Sequence, residues 1–486
     1  MHESQPRPPQ PADPGPIPAP GAPGAPGIPP AFGALPPPAR WHYRPRRAFW
    51  DNKAVRAGTV VLLLALCGLL ILALVREQTG TRGFLVGLGL AVLPVPLLIA
   101  AFRWMDRVEP KPWKNLVFAF AWGACAATLV ALIANSYATE WIMNSVDTAH
   151  REDAGTFGAT FVAPVVEESA KGAALLLLFL FRRRDFNGIV DGVVVAGITA
   201  TGFAFTENIL YLGNAYASDQ SFGASGFSTT AATFFVRVLM SPFAHPLFTS
   251  MTGLGFGIAA GLPTRRRVLR ALVPFAGLLT AMVLHGVWNG SASLPGLGFL
   301  AVYSLFMLPV FGTLTWLTIW SRQTELRTVR AHLPEYQAAG WLTPPEPLAL
   351  SSMRARGIAR AVAKRTAGRP AARTVAEYIS FATSLAFLRQ RAYAGRLTPD
   401  FTAREQELLH HLWQRKDVAQ PALERAAMSV PRPATAPVGA HPGPIMPGPY
   451  GAAPGYGTGT GYGAGYRPPG TVHGPGAYGQ WPGRPF

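Results

Sequence analysis

Apolar stretches of about twenty residues recur along the middle of the chain, near 57–75, 83–102, 116–136, 157–181, 188–212, 231–261, 271–290 and 298–320. A helix of that length spans the hydrocarbon core of a bilayer, and within lipid a helix satisfies all of its own backbone polar groups. The pattern predicts an all-α fold: a polytopic, integral membrane bundle of about eight transmembrane helices. Only 14% of the 486 residues are charged, against roughly 25% in soluble domains, which fits a chain lying largely in lipid. The sixth stretch is too long for one straight span and contains Pro242, so a kink or break is expected there.

The connections set an orientation. "RWMDRVEPKPWK" (103–114), "RRR" (182–184) and "RRRVLR" (265–270) are basic and belong on the cytoplasmic side. "TEWIMNSVDTAHRED" (139–153), "GNAYASDQ" (213–220) and "SASLPG" (291–296) are neutral or acidic and belong outside. Eight crossings with both termini cytoplasmic satisfy every one of these loops. The formal charge of +18 then suits an anionic inner membrane face rather than nucleic acid, for which no recognised motif accompanies it. Cys67 and Cys125, the two cysteines, make neither a disulfide framework nor a thiolate zinc site.

Residues 1–48 form a Pro-rich stretch expected to be a disordered cytoplasmic tail, with no signal peptide ahead of the first span. Residues 49–321 form the transmembrane domain. Residues 322–430 return to a soluble composition and predict a cytoplasmic helical appendage. From 431 to 486 the chain is rich in Pro, Gly and Tyr and predicts a second disordered tail.

Charge inside the apolar runs is the second constraint. "FVAPVVEESAKGAALLLLFLFRRR" (161–184) carries Glu167, Glu168 and Lys171 within a span. A charge at the bilayer centre costs on the order of 3 kcal/mol on insertion scales. Glu167 and Lys171, at i,i+4 spacing, could form a neutral structural bridge. One lysine cannot fully neutralise two carboxylates, so Glu168 needs a further partner. Candidates lie on other spans: Glu207 and Asn208 in "TGFAFTENILYLG", Arg237, Ser241 and His245 in "VRVLMSPFAHPLF", and His285 with Asn289 in "LHGVWNG". At about 1.5 Å per residue, Glu167 and Glu168 lie roughly 15 Å below the outer end of their helix, and Glu207 and His285 roughly 8 Å below theirs. Similar depth on four helices predicts one polar cavity. Glu and His serve general acid–base catalysis and zinc ligation alike, and an imidazole or carboxamide can hold an oxyanion. There is no HExxH and no GxSxG, which sets aside the single-helix zinc protease and the serine hydrolase elbow.

"APVVEESAKG", "GFAFTENILY", "RVLMSPFAHPLF" and "LHGVWN", in that order on successive spans, resemble the PrsW family of bacterial intramembrane proteases, related to the CPBP group that includes CAAX prenyl endopeptidases. The resemblance covers roughly residues 80–320. It implies a hydrolase of the bacterial cytoplasmic membrane that cuts membrane-anchored proteins, with single-span regulators such as anti-sigma factors as substrates. It implies Glu167, Glu168, Glu207, His245, His285 and Asn289 as catalytic positions, supported by Lys171, Phe203, Asn208 and Arg237. Glu168 is expected to activate the water, on the supposition that Lys171 engages Glu167. Candidate metal ligands are Glu168, Glu207, His245 and His285, for zinc; a metal-independent glutamate peptidase is the alternative. CAAX endopeptidases carry histidine where Glu207 stands, which puts a shared ligand set in doubt. A CPBP-like protein of other activity, a proton-coupled transporter or a scaffold remain the rival readings, since intramembrane Glu and His also build proton relays.

Overall fold

The computed structural model describes residues 52–146, 151–182, 186, 188–222, 228–263, 265–395 and 400–430. Both expected tails, 1–48 and 431–486, lie outside these residues, as do parts of the loops at 139–153 and 182–184. Among the described residues every regular element is helical.

The first helix, α1 (Lys53–Ala91), is broken at Gly80, whose φ is 69°. Such a φ is open to glycine and strained for any residue with a Cβ. The chain reverses here. Thr79, just before the break, and Gly83, just after it, both pack on Gly213; Gly87 meets the Ile209 carbonyl and Phe102 meets Gly197. The return limb bends at 92–93 and continues as α2 (Pro94–Met105). Six stretches are long and apolar enough to cross a membrane by length and composition, and the first, Ala54–Met105, is thus a hairpin holding the first two expected spans.

The helices that follow are α3 (Trp113–Ala121), α4 (Thr128–Ser145), α5 (Arg151–Phe157), α6 (Ala163–Phe181), α7 (Ile189–Phe222), α8 (Thr229–Phe234), α9 (Ala244–Gly261), α10 (Arg267–Ser291), α11 (Gly298–Val302) and α12 (Leu308–Ala338). Neighbour contacts fix their alternation. On α6 and its approach, Thr160 meets Gly286 while Gly172 meets Leu278, so α6 and α10 run antiparallel. Gly158 lies against Thr139 and Glu167 lies against Asn135, so α4 and α6 are antiparallel as well. With α6 counted beside the six apolar stretches and their hairpin, the described residues hold eight helical segments of spanning length. It was the charge of α6, not its length, that set it apart.

Helix α7 is the axis of the bundle, its apolar length mostly buried inside protein. Small residues make that possible. A Cβ at Gly253 would lie 2.3 Å from the Gly192 carbonyl oxygen, so α7 and α9 touch backbone to backbone. Gly257 packs on Gly188 and Ile189, whereas Gly261, one turn further on, faces open space.

Helix α12 carries the chain out of the bundle into a helical unit made with α13 (Glu346–Leu350), α14 (Met353–Tyr393), α15 (Phe401–Trp413) and α16 (Lys416–Ala427). Its core is apolar and closed, centred on Val329, Leu333, Val375, Leu385 and Leu423. Arg356, on α14, ties it to the α2–α3 loop by donating to the Val108 carbonyl at 2.8 Å.

Candidate active site

Four helices bring the intramembrane charges together, and local breaks aim them. Helix α6 begins after a wide π-turn, Gly158–Val162, and presents Glu167, Glu168 and Lys171 on one buried face. The long sixth stretch is interrupted, as its proline suggested. A π-turn at Phe235–Met240 ends at Ser241, and α9 restarts at Ala244. Arg237 and His245 therefore do not share one continuous helical face. They meet through a third residue, since the Glu207 carboxylate bonds the Arg237 guanidinium and also lies 2.7 Å from His245 Nε2.

Lys171 Nζ sits at the centre. It lies 2.9 Å from Glu168 Oε1, 3.2 Å from Glu167 Oε2 and 3.3 Å from His245 Nδ1, with the Phe203 ring centroid 3.7 Å away. The lysine thus engages Glu167, as supposed, and Glu168 as well. Glu168 is fully buried and also accepts from the Thr249 hydroxyl at 2.8 Å and bonds His285 Nδ1 at 3.1 Å. Glu167 is the looser of the two. Asn135 Nδ2 reaches its Oε1 at 3.4 Å, and His285 Nε2 stands 3.8 Å from its Oε2. Phe248 stacks on the His285 ring at 4.9 Å and holds its plane.

Arg237 donates to Asn208 Oδ1 at 2.9 Å and lies 3.8 Å from the Tyr211 ring centroid. Asn289 stays apart from the cluster: its Nδ2 donates to the Ala159 carbonyl at 2.9 Å. It lines, with Arg237, His245, Asn208, Trp288 and Phe299, a mostly apolar cavity of about 300 Å³ that leads to His245. Three participants were not among the expected site residues. Thr249 follows His245 by one helical turn, a spacing that puts it on the same face. Tyr211 stands in the same relation to Glu207. Asn135 is a lone carboxamide in an apolar run, and nothing in its spacing pointed to Glu167.

The fold and the cluster define a class: a multi-pass helical membrane protein with a carboxylate–imidazole centre buried beside a cavity. The comparisons give that class its chemistry. Residues 111–314 match the model of the PrsW family of intramembrane metalloproteases, a likeness over less than half of the chain that supports a membrane peptidase. Protease PrsW of Geobacillus kaustophilus is 27% identical over 198 residues, which is 41% of this chain and 76% of that protein. Protease PrsW of Clostridioides difficile is 23% identical over 201 residues, 41% and 76% respectively, and that of Oceanobacillus iheyensis 24% identical over 208 residues, 42% and 80%. No solved structure matches the chain.

A metalloprotease family implies a metal, and the donors present fit one. Ligand atoms of Glu167, His245 and His285 all lie within 4.8 Å of one another. Two nitrogens and one oxygen, with a position left for water, is a donor set of catalytic zinc sites. Each imidazole also spends its other nitrogen on a carboxylate, His245 on Glu207 and His285 on Glu168, the outer bonding that orients metal-bound histidine. Against the expected ligand set, Glu167 takes the place of Glu168 in this group, and Glu207 stands behind His245. Lys171 has its ammonium in contact with two of the three ligands, so a bound cation would displace it or share its carboxylates.

Proposed function

We propose that this protein is an intramembrane endopeptidase of the bacterial cytoplasmic membrane that cleaves membrane-anchored proteins, single-span regulators such as anti-sigma factors among them. The observation that carries the reading is the convergence of Glu167, His245 and His285 within 4.8 Å of one another, next to a cavity that His245 lines, on helices whose surroundings are apolar.

Glu167 is the carboxylate we assign to the water. Glu168 has both oxygens committed, to Lys171 and His285 on one side and Thr249 on the other. Glu167 retains an oxygen held only by a long bond from Asn135, so Oε1 can accept a proton from an attacking water. Glu168 and Thr249 fix His285, and Glu207 fixes His245, so that each imidazole presents a chosen nitrogen toward Glu167. Lys171 keeps the two carboxylates together and offers a donor for the negative oxygen of the tetrahedral intermediate. Phe203 covers the lysine and limits water to the side facing the cavity. The apolar cavity wall of Trp288 and Phe299 is suited to the side chains of a membrane-embedded substrate, and Arg237, Asn208 and Asn289 provide polar contacts for its backbone. Zinc, held by Glu167, His245 and His285, would supply Lewis acidity and lower the pKa of a bound water. The topology that fits these roles keeps both termini cytoplasmic and places the cut in the outer half of the bilayer.

The test is a comparison of protein termini in membranes and released fractions from matched cells. One set would express the wild type and the other a Glu167→Gln/Glu168→Gln variant shown to insert at the same level. New termini just outside predicted spans that need both glutamates are the expected result. Matched termini under several stresses would overturn the reading. Metal content of the purified protein, measured with His245→Ala and His285→Ala beside it, decides between the zinc and metal-free forms.

A further inference from the structure

Lys171 is fully buried, and its surroundings are those of a bound cation. Its Nζ lies 2.9 Å from Glu168 Oε1, 3.2 Å from Glu167 Oε2 and 3.3 Å from His245 Nδ1, with the Phe203 ring centroid 3.7 Å away. Two of these neighbours are the atoms left free in the candidate ligand set. His245 has its Nε2 on the Glu207 carboxylate at 2.7 Å, so Nδ1 is the nitrogen it can offer a metal. Glu167 Oε2 is the oxygen turned both to Lys171 and to His285 Nε2, the latter at 3.8 Å. An ammonium and a zinc ion would therefore draw on the same oxygen and the same nitrogen.

Chemistry favours the ammonium in that place. A carboxylate only accepts, so Glu207 takes the proton of His245 Nε2 and leaves Nδ1 an acceptor. The lysine then has three N–H donors for three acceptors, two carboxylate oxygens and one imidazole nitrogen. The Phe203 ring adds a cation–π contact on the remaining side. Its positive charge also answers two buried carboxylates, each of which would be costly without a cation. A divalent ion bonded to Glu167 and His245 would face that charge across a single ligand atom, and repulsion at such range in a buried site is strong.

We infer that Lys171 is the resident cation of this site and a built-in competitor for the metal. Its ammonium engages two of the three metal ligands, so zinc binds weakly while the lysine is present, and removing the lysine turns the same group into a tight zinc site. This rests on the endopeptidase reading for the ligand set, and it goes further by making Lys171 the residue that sets metal affinity.

The test is a zinc titration of the full-length protein in detergent micelles after treatment with a chelator. Wild type is compared with Lys171→Met, which keeps the length of the side chain and removes its charge, and with Lys171→Met/His245→Ala. In chelator, Lys171→Met should melt below wild type, because two buried carboxylates lose their cation. Zinc should raise the melting temperature of Lys171→Met and bind it at least about 100-fold more tightly than wild type. The double variant should show neither response. Equal zinc affinity in wild type and Lys171→Met would overturn the inference, and so would a Lys171→Met response that survives His245→Ala. The wild-type titration decides even where Lys171→Met does not fold. Zinc held with a Kd below about 1 μM and lost in His245→Ala would overturn the inference, and weaker binding is the expected result. No substrate enters these measurements, so their failure is distinct from failure of the endopeptidase reading, in which new termini would not depend on Glu167 and Glu168.

Discussion

Two regions of this molecule bury charge, and they do so in opposite ways. In the helical unit after α12, the guanidinium of Arg356 is 2% exposed and every contact is a closed one. It donates to the Leu350 carbonyl at 2.7 Å, the Val108 carbonyl at 2.8 Å and the Thr383 hydroxyl at 2.8 Å. Glu346 beside it accepts from the Thr343 backbone N–H at 2.6 Å and the Tyr378 hydroxyl at 2.7 Å. In the membrane cluster, three carboxylates and two imidazoles are held by two cations, one bond is long, one carboxamide oxygen is orphaned, and a cavity opens alongside. Satisfied polar groups with no void beside them make a joint. Incompletely satisfied groups next to a void leave bonding capacity for a substrate. The difference teaches that burial of charge alone says little: Thr343 Oγ1 and His411 Nδ1 are unbonded in the helical unit as well, so it is the grouped carboxylates and imidazoles beside a void that mark the chemistry.

That comparison can be broken at either end. The largest effect belongs to the site: Glu167→Gln should lower cleavage by about 10²–10⁴-fold, the scale of general-base catalysis, while the protein still inserts and melts as wild type. Termini counting and a melting curve in the same micelles check both halves. Arg356→Ala should do the reverse, destabilising the helical unit by about 2–4 kcal/mol because two carbonyls and a hydroxyl lose their donor. Limited proteolysis after α12 should then rise well before any loss of the membrane domain. Gly253→Val should cost about 1–3 kcal/mol by forcing α7 and α9 apart, and because α7 carries Glu207 and α9 carries His245, cleavage should fall with stability rather than independently of it.

The smallest effect concerns pH and the loop that joins the two regions. Asp106 accepts from the Arg103 guanidinium at 2.9 Å and the Lys111 backbone N–H at 2.7 Å. Burial nonetheless pushes its carboxyl up to about 7, outweighing the charge of Lys111. An acid whose folded value is raised binds its proton more tightly when folded. Its contribution to stability is therefore greatest below about pH 4 and is lost as pH rises to about 7, with no further change above. Asp106→Asn should flatten the melting temperature between those limits, and a slope unchanged by the substitution would show that other groups set it.

Much of the site was legible because its residues are conspicuous where they stand. Glu167, Glu168 and Lys171 are costly in lipid, and so are Glu207, Arg237, His245 and His285; each must have a partner, so their depths alone grouped them. Asn135 and Thr249 gave no such signal, since a lone amide or hydroxyl in a span is common and can bond its own helix. Asn289 shows what spacing leaves open: four residues after His285 it shares a face with it, yet the nearby Ala159 carbonyl takes its amide.

The sequence by itself determined the helical, multi-pass class, the break near Pro242 and the list of charges that had to meet. These follow from hydrophobic length and from the cost of isolated charge in lipid, both local properties of the chain. Only the tertiary structure decided that Gly80 turns one long helix into a hairpin, that Lys171 is shared rather than assigned, and that Glu168 is fully bonded while Glu167 is not. Those outcomes depend on which helices lie side by side, and a hydrogen bond across 81 residues, such as Thr249 to Glu168, leaves no trace in the spacing of either segment.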